Sequence, residues 1–260
     1  MGMGSLVAVG GICVSDEAVR PLEVGLDALC RETGFPEGET GEFKWSPKQE
    51  HWMRTNLVQA ERRDFFIAAL ELAAAHGVKA IVVLEDTSRG QADATAPSPE
   101  DDVVRLFLER ADNYLFPDGR GILIADRPGG GQEDDDRFLG RCLGTLRSGT
   151  RYADLNRIAL ALTTASHHAR LLQVADLVTG ATTACVAGES QYAPPIFDRI
   201  RPLLREDGGR IGGVGLKIQP DFLYVNLYHW LLGDESYRRG SIGWDLPAPG
   251  RWYATSADVR

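Results

Sequence analysis

At 260 residues, 43 % hydrophobic and 25 % charged, the chain has the make-up of a soluble globular protein long enough to bury a substantial core. Its net charge of −9 argues against adhesion to nucleic acid through a broad basic surface, although it leaves room for a local site, and a metal-dependent site is itself a cluster of acids. No apolar run reaches membrane-span length, no leader-type segment opens the chain, and four widely spaced cysteines without CxxC or Cys/His pairing read as reduced core thiols, so a cytoplasmic protein is expected.

Taken in order, Leu6 to Val14 reads as a central strand, followed by a helix from about Glu17 to Thr33 capped by Ser15 or Asp16. Glu42 to Ser46 is short and extended. Pro47 opens a helical region that runs to His76, is interrupted near Arg54 to Asn56 and is stopped by Gly77. Val78 to Leu84 is a second strand ending in Glu85-Asp86. Ser98 caps a helix with Pro99 in its first turn, running to about Phe116. Arg120 to Ala125 is a third strand ending in Asp126, and a helix from about Glu133 to Leu146 follows. Gly129-Gly130-Gly131 before that helix has the spacing of neither phosphate-binding glycine motif. Asn156 to Leu162 is a fourth strand, Ala169 to Ala184 a helix, and Pro194 to Arg205 another. A Gly-rich stretch from Arg210 to Ile218 holds a short edge strand, and Asp221 caps a last amphipathic helix to Leu232. The expected organisation is one α/β domain over 1–232 with a tail, 233–260, packed on it. Strands alternating with helices predict a substantially parallel sheet, with sites beyond the carboxyl ends of strands.

The Ala169–Ala184 segment is apolar almost all round, which predicts burial. Gln173 and Asp176, three residues apart, share one face, and Gly180 and Thr183 continue the stripe. A carboxylate in that setting costs several kcal/mol unless a cation, a metal or hydrogen-bond donors meet it. Asp126 follows an apolar strand directly and precedes Arg127-Pro128, which leaves it at a strand tip. Glu42 and Lys44 alternate with Phe43 and Trp45, one side charged and the other apolar. Each feature also has a plain structural reading: an internal ion pair for Asp176, a turn-initiating residue for Asp126, a half-exposed strand for Glu42 and Lys44. His167 and His168 are adjacent, so one of them at most is expected to face a site.

Taken together, Val7-Ala-Val-Gly-Gly-Ile12, Glu42-Phe-Lys44, Ile124-Ala-Asp126-Arg127 and Ser166 with Gln173-Val-Ala-Asp176, in that order and spacing, resemble the bacterial domain-of-unknown-function 3800 family over roughly residues 6–185. The resemblance implies a ribonuclease H-like α/β fold, a mixed sheet flanked by helices, here with extra C-terminal helices. It implies a metal-dependent nuclease, a hydrolase acting on RNA or DNA. Glu42, Asp126 and Asp176 would be ligands of a two-ion Mg²⁺ or Mn²⁺ site. Lys44 would meet a phosphate or orient Glu42, Gln173 would hold a carboxylate or substrate, and Ser166 and His168 would support the site. Phosphodiester hydrolysis suits that set, because hard divalent ions take carboxylate oxygens and a pair of ions about 4 Å apart serves the attacking and leaving oxygens.

The chain departs from the family pattern at its start. The family's first strand, ending Asp-Glu-Ser-Gly and paired with the Val7 strand, is not found here, and with it goes the central acid. Asp86 is the one replacement within reach. An impaired site is therefore expected, and a catalytically silent binding module that keeps the fold is the alternative. A glycosidase using paired carboxylates fits the residue types as well, but no aromatic cluster lies near the acids in sequence. Without its partner strand the Val7 strand would offer unpaired backbone. The expected outcomes are aggregation, a homodimer through that edge, or coverage by the residues after Gly233.

Overall fold

The computed structural model describes residues 6–88, 98–220, 224 and 227–234. Among these residues there are five strands: β1 (Leu6–Cys13), β2 (Lys79–Asp86), β3 (Gly121–Asp126), β4 (Ile158–Thr164) and β5 (Leu216–Gln219). Seven α-helices accompany them: α1 (Asp16–Thr33), α2 (Trp52–Asn56), α3 (Ala60–Ala75), α4 (Pro99–Tyr114), α5 (Gln132–Ser148), α6 (Arg170–Val186) and α7 (Ala193–Ile200). The protein is mixed α/β, with two small sheets flanked by helices. β1 lies antiparallel to β2, and β2 parallel to β5; β3 and β4 form a separate parallel pair.

The alternation of side chains decides which layer each face meets. Ala80, Val82 and Leu84 of β2 enter the main core with α1, α3, α6 and α7. Ile81 and Val83 point the other way and pack with Val103, Leu106 and Phe107 of α4. In β1, Ala8 and Ile12 follow the first set, and Val7, Val9 and Cys13 the second. Leu123 of β3 joins the α4 layer too, so α4 covers residues of both sheets although β1 and β3 do not pair. Among the described residues β1 has β2 as its one strand neighbour.

Glycine sets how closely the helices approach β1. A Cβ on Gly10 would fall inside the Thr179 side chain of α6, and one on Gly11 would lie 2.8 Å from the Phe107 ring of α4. The Gly10-Gly11 pair therefore lets β1 be clamped between α6 and α4.

Several expectations need correction. The helical region after Pro47 breaks at Leu57–Gln59, not at Arg54–Asn56, and Gln59 takes a left-handed φ of 46°. Ser15 is the N-cap of α1, but neither it nor Asp16 caps through its side chain. Ser98 does, accepting from Asp101 N at 3.2 Å. Glu42–Trp45 is extended at Glu42 but joins no strand. β2 ends in Glu85-Asp86 as expected, and both residues are part of its ladder, pairing with Val7 and Leu6. The helix expected from Asp221 falls partly outside the described residues; within them, Tyr228–Leu232 forms a π-helical turn. The 235–260 part of the tail lies outside them as well. No helix among the described residues is long and apolar enough to cross a membrane.

Candidate functional site

Gln173 ties the site together. Its side chain is buried in the first turns of α6, and every polar atom is used. Oε1 accepts from Phe43 N at 3.1 Å and from the Arg170 guanidinium at 2.9 Å; Nε2 donates to Ser166 O at 2.9 Å. Arg170 also donates to Gly41 O at 2.7 Å and pairs with Asp27 at 2.8 Å. One glutamine thus fixes the Gly41–Phe43 segment against the turn that follows β4. One helical turn on, Asp176 Oδ2 accepts from Trp45 N at 3.0 Å. Gly180, a further turn along, makes room for the Trp45 ring, whose Cδ1 would be 2.6 Å from a Cβ there. The polar stripe of α6 is therefore a docking strip for residues 41–45.

That docking buries Glu42, which is 8 % exposed. Its Oε2 pairs with Lys44 Nζ at 3.1 Å and its Oε1 accepts from Ser166 Oγ. The half-exposed-strand reading of Glu42 is overturned: this carboxylate is internal and neutralised on one side by Lys44. Met53 supports the other flank, its Sδ accepting from Lys44 N at 3.3 Å while its own N–H donates to His51 Nδ1 at 3.2 Å. Since Nδ1 accepts, the neutral His51 ring carries its proton on Nε2, a buried atom with no hydrogen-bond partner among the described residues. Burial lowers the His51 pKa, outweighing the opposing pull of Glu42.

Asp126 ends β3 beside Thr164 of β4, and Ser166, two residues past that strand, holds Glu42. The parallel β3–β4 pair thereby carries Asp126 to the end of the molecule where Glu42 and Lys44 lie. Asp176 registers this directly. Burial pushes its carboxyl above the usual range, the Trp45 N–H and Lys44 oppose that, and the charges of Asp126 and Glu42 push it further up. An acid from a loop and one from a strand tip thus both act on the Asp176 carboxyl of the helix, with Lys44 opposing them.

The donor set fits a hard divalent cation in kind, three carboxylates with one raised in pKa by burial and by its neighbours. In placement it is looser. Among the described residues no group of three His, Cys, Asp or Glu side chains is gathered closely enough to hold a metal ion. To ligate one, Glu42 would have to turn from Lys44 toward Asp126 and Asp176.

Asp86 is corrected as a replacement acid. It is fully buried, and its carboxylate accepts from Ser88 N and Oγ and from the Tyr224 hydroxyl, which commits it to its own loop. His168 is exposed, with no hydrogen bond to the three acids among the described residues, and its ring lies 4.0 Å from that of His167. Sequence reasoning missed Arg170, His51, Met53 and Glu23, whose carboxylate receives Arg170 N and Leu171 N at the start of α6. Glu23 lies about 147 positions from its partners, so no local pattern could have shown it.

The four cysteines are free, and burial raises their thiols, Cys13, Cys30 and Cys142 to about 11 and Cys185 to about 12. A cavity of about 760 Å³ opens at the opposite end of β3 and β4, where Arg120, Arg157 and Arg205 face Asp112, Asp154 and Asp207; none of the three site acids lines it.

Compared with protein-family models, with curated proteins and with solved structures, the chain matches none.

Proposed function

We propose that the protein is a metal-dependent phosphodiesterase, a nuclease of ribonuclease H-like type acting on RNA or DNA. The observation that carries this reading is that the buried Asp176 carboxyl lies within the influence of Glu42, Asp126 and Lys44, with Lys44 paired to Glu42 at 3.1 Å. The motif order in the sequence supports it, as does the position of Asp126 at the carboxyl end of a parallel strand. Bound Mg²⁺ or Mn²⁺ would activate water and steady the leaving oxygen. Asp176 and Asp126 would hold the ion, with Glu42 joining on release from Lys44. Lys44, 40 % exposed at its side chain, would then be available to a phosphate oxygen. Gln173 and Arg170 position Glu42 by holding Phe43 N–H and Gly41 O on either side of it.

A second reading, a binding module without catalysis, is favoured by the closed state of Glu42, with both oxygens engaged inside the protein. The two are separated by cleavage of labelled RNA and DNA with Mg²⁺ or Mn²⁺, with chelator, and with Asp126→Asn. The nuclease reading expects chelator-sensitive cleavage that falls roughly 100-fold in Asp126→Asn. Equal background activity in both proteins would leave the binding module.

A further inference from the structure

Arg205 is a buried cation that meets no anion. It is 9 % exposed, and its guanidinium donates to Arg110 O at 3.0 Å and to Asn113 Oδ1, both neutral acceptors. The Tyr114 ring lies beside it, with its centroid 5.8 Å from the guanidinium carbon. Burial lowers its pKa, and Asp207 is the acid that opposes this most, yet Asp207 is exposed and beyond ion-pair distance. An arginine keeps its charge when buried, so a counter-charge is called for.

Arg205 forms part of the wall of the cavity of about 760 Å³ at the amino ends of β3 and β4, a volume in the range of small-molecule sites. The charges of that wall are sorted by depth. Asp112, 2 % exposed, is committed to Arg157, whose guanidinium and main-chain N–H it meets at 2.8 and 2.7 Å. Glu109 faces Arg105 at 3.8 Å, and Arg120 donates to Asn156 O at 2.7 Å. The deep wall therefore keeps one positive charge unmatched, that of Arg205. Asp118, Asp154 and Asp207 are exposed around the opening, none within ion-pair distance of a cation among the described residues. Tyr152, also in the wall, is 72 % exposed, with the Arg151 guanidinium 5.6 Å from its ring centroid.

Each of these layers selects part of a ligand. A guanidinium in a dry wall suits a phosphate monoester, which it can meet with two parallel hydrogen bonds. Carboxylates accept from sugar hydroxyls, as they do from ribose in dinucleotide sites. An exposed aromatic ring offers a base a stacking platform. Three rim carboxylates also repel a long polyphosphate backbone, which favours a mononucleotide over a nucleic-acid strand. We propose that this cavity binds a nucleoside monophosphate, with its phosphate on Arg205, its ribose hydroxyls on the rim carboxylates and its base on Tyr152. The cavity and the acid site lie at opposite ends of β3 and β4, so the two readings stand or fall separately.

Calorimetric titration in the presence of chelator, which removes metal from the acid site, tests the proposal. AMP and CMP should bind saturably, one per chain. Ribose 5-phosphate and inorganic phosphate should bind about 10-fold more weakly, and adenosine at least ~30-fold more weakly. Arg205→Lys should weaken AMP binding at least ~10-fold. Tyr152→Ala, at an exposed position, should keep the native melting temperature. It should weaken AMP binding about 10-fold and leave ribose 5-phosphate binding unchanged, a split that a merely structural role would not produce. The proposal is overturned if AMP does not bind in chelator or binds only with Mn²⁺. Adenosine or inorganic phosphate binding as tightly as AMP overturns it too, as does an AMP affinity that either variant leaves unchanged.

Discussion

Gln173 was legible in the sequence as a polar residue on an apolar helix, and it shows what that conflict costs to resolve. It is 1 % exposed and satisfies Phe43 N–H, Ser166 O and the Arg170 guanidinium together. Gln173→Leu leaves the buried Phe43 and Ser166 groups unpaired. Denaturant unfolding should show a loss of about 2–4 kcal/mol. Asp176 makes the opposite prediction. Burial, reinforced by Asp126 and Glu42, holds its folded pKa above the ordinary value of 3.8. The native state thus binds this proton more tightly than the unfolded chain, and stability falls as pH rises from 3.8 through the folded pKa. Asp176→Asn keeps an oxygen for Trp45 N–H and removes the charge. Its melting temperature should exceed that of the native protein at pH 7, and the gain should vanish near about pH 3, where both states of the native protein are protonated. An unchanged melting temperature at pH 7 would mean that Lys44 already offsets the charge. What the sequence could not show was which partner each residue takes: Gln173 serves backbone 130 positions away, and Arg170 reaches Gly41.

At the scale of elements, α6 was legible because hydrophobic periodicity is local, and strands β2 to β4 because their apolar runs are bounded by turn residues. Residues 42–46 read as short and extended, with a half-exposed strand at Glu42 and Lys44, because alternation of charge and ring imitates a strand, yet they join no sheet. Their conformation comes from docking on α6. Gly180→Ala tests that docking. Alanine is the better helix former by up to about 1 kcal/mol, but its Cβ would lie 2.6–2.8 Å from Trp45 Cδ1, Cγ and Cβ, the root of the side chain rather than its flexible end. A net loss of roughly 1–3 kcal/mol is expected in chemical denaturation. In a Trp45→Ala background the same change should become neutral or stabilising, and a loss of equal size there would show that the Gly180–Trp45 contact is not its cause. The same close approach explains Gly10-Gly11: the sequence shows two glycines in a strand, and the need for them appears only once α6 and α4 are in place.

For the whole molecule, alternation of strands and helices was enough to predict an α/β architecture but not its division into a three-stranded and a two-stranded sheet. Pairing is a long-range property: β5 pairs with β2 at a separation of 134 positions, as Val82 with Leu216. The division has a functional consequence. β3–β4 presents Asp126 at one end, and Ser166 just past β4 holds Glu42, so one small sheet carries the acid site. The central claim is that Glu42, Asp126 and Asp176 form a single cation-seeking site restrained by Lys44. Calorimetric titration with Mn²⁺ tests it most directly. The account predicts saturable binding that weakens roughly 10- to 100-fold in Asp126→Asn and in Asp176→Asn, and tightens in Lys44→Met, where the competing ammonium is gone. Weak binding of equal strength in all four proteins would contradict it.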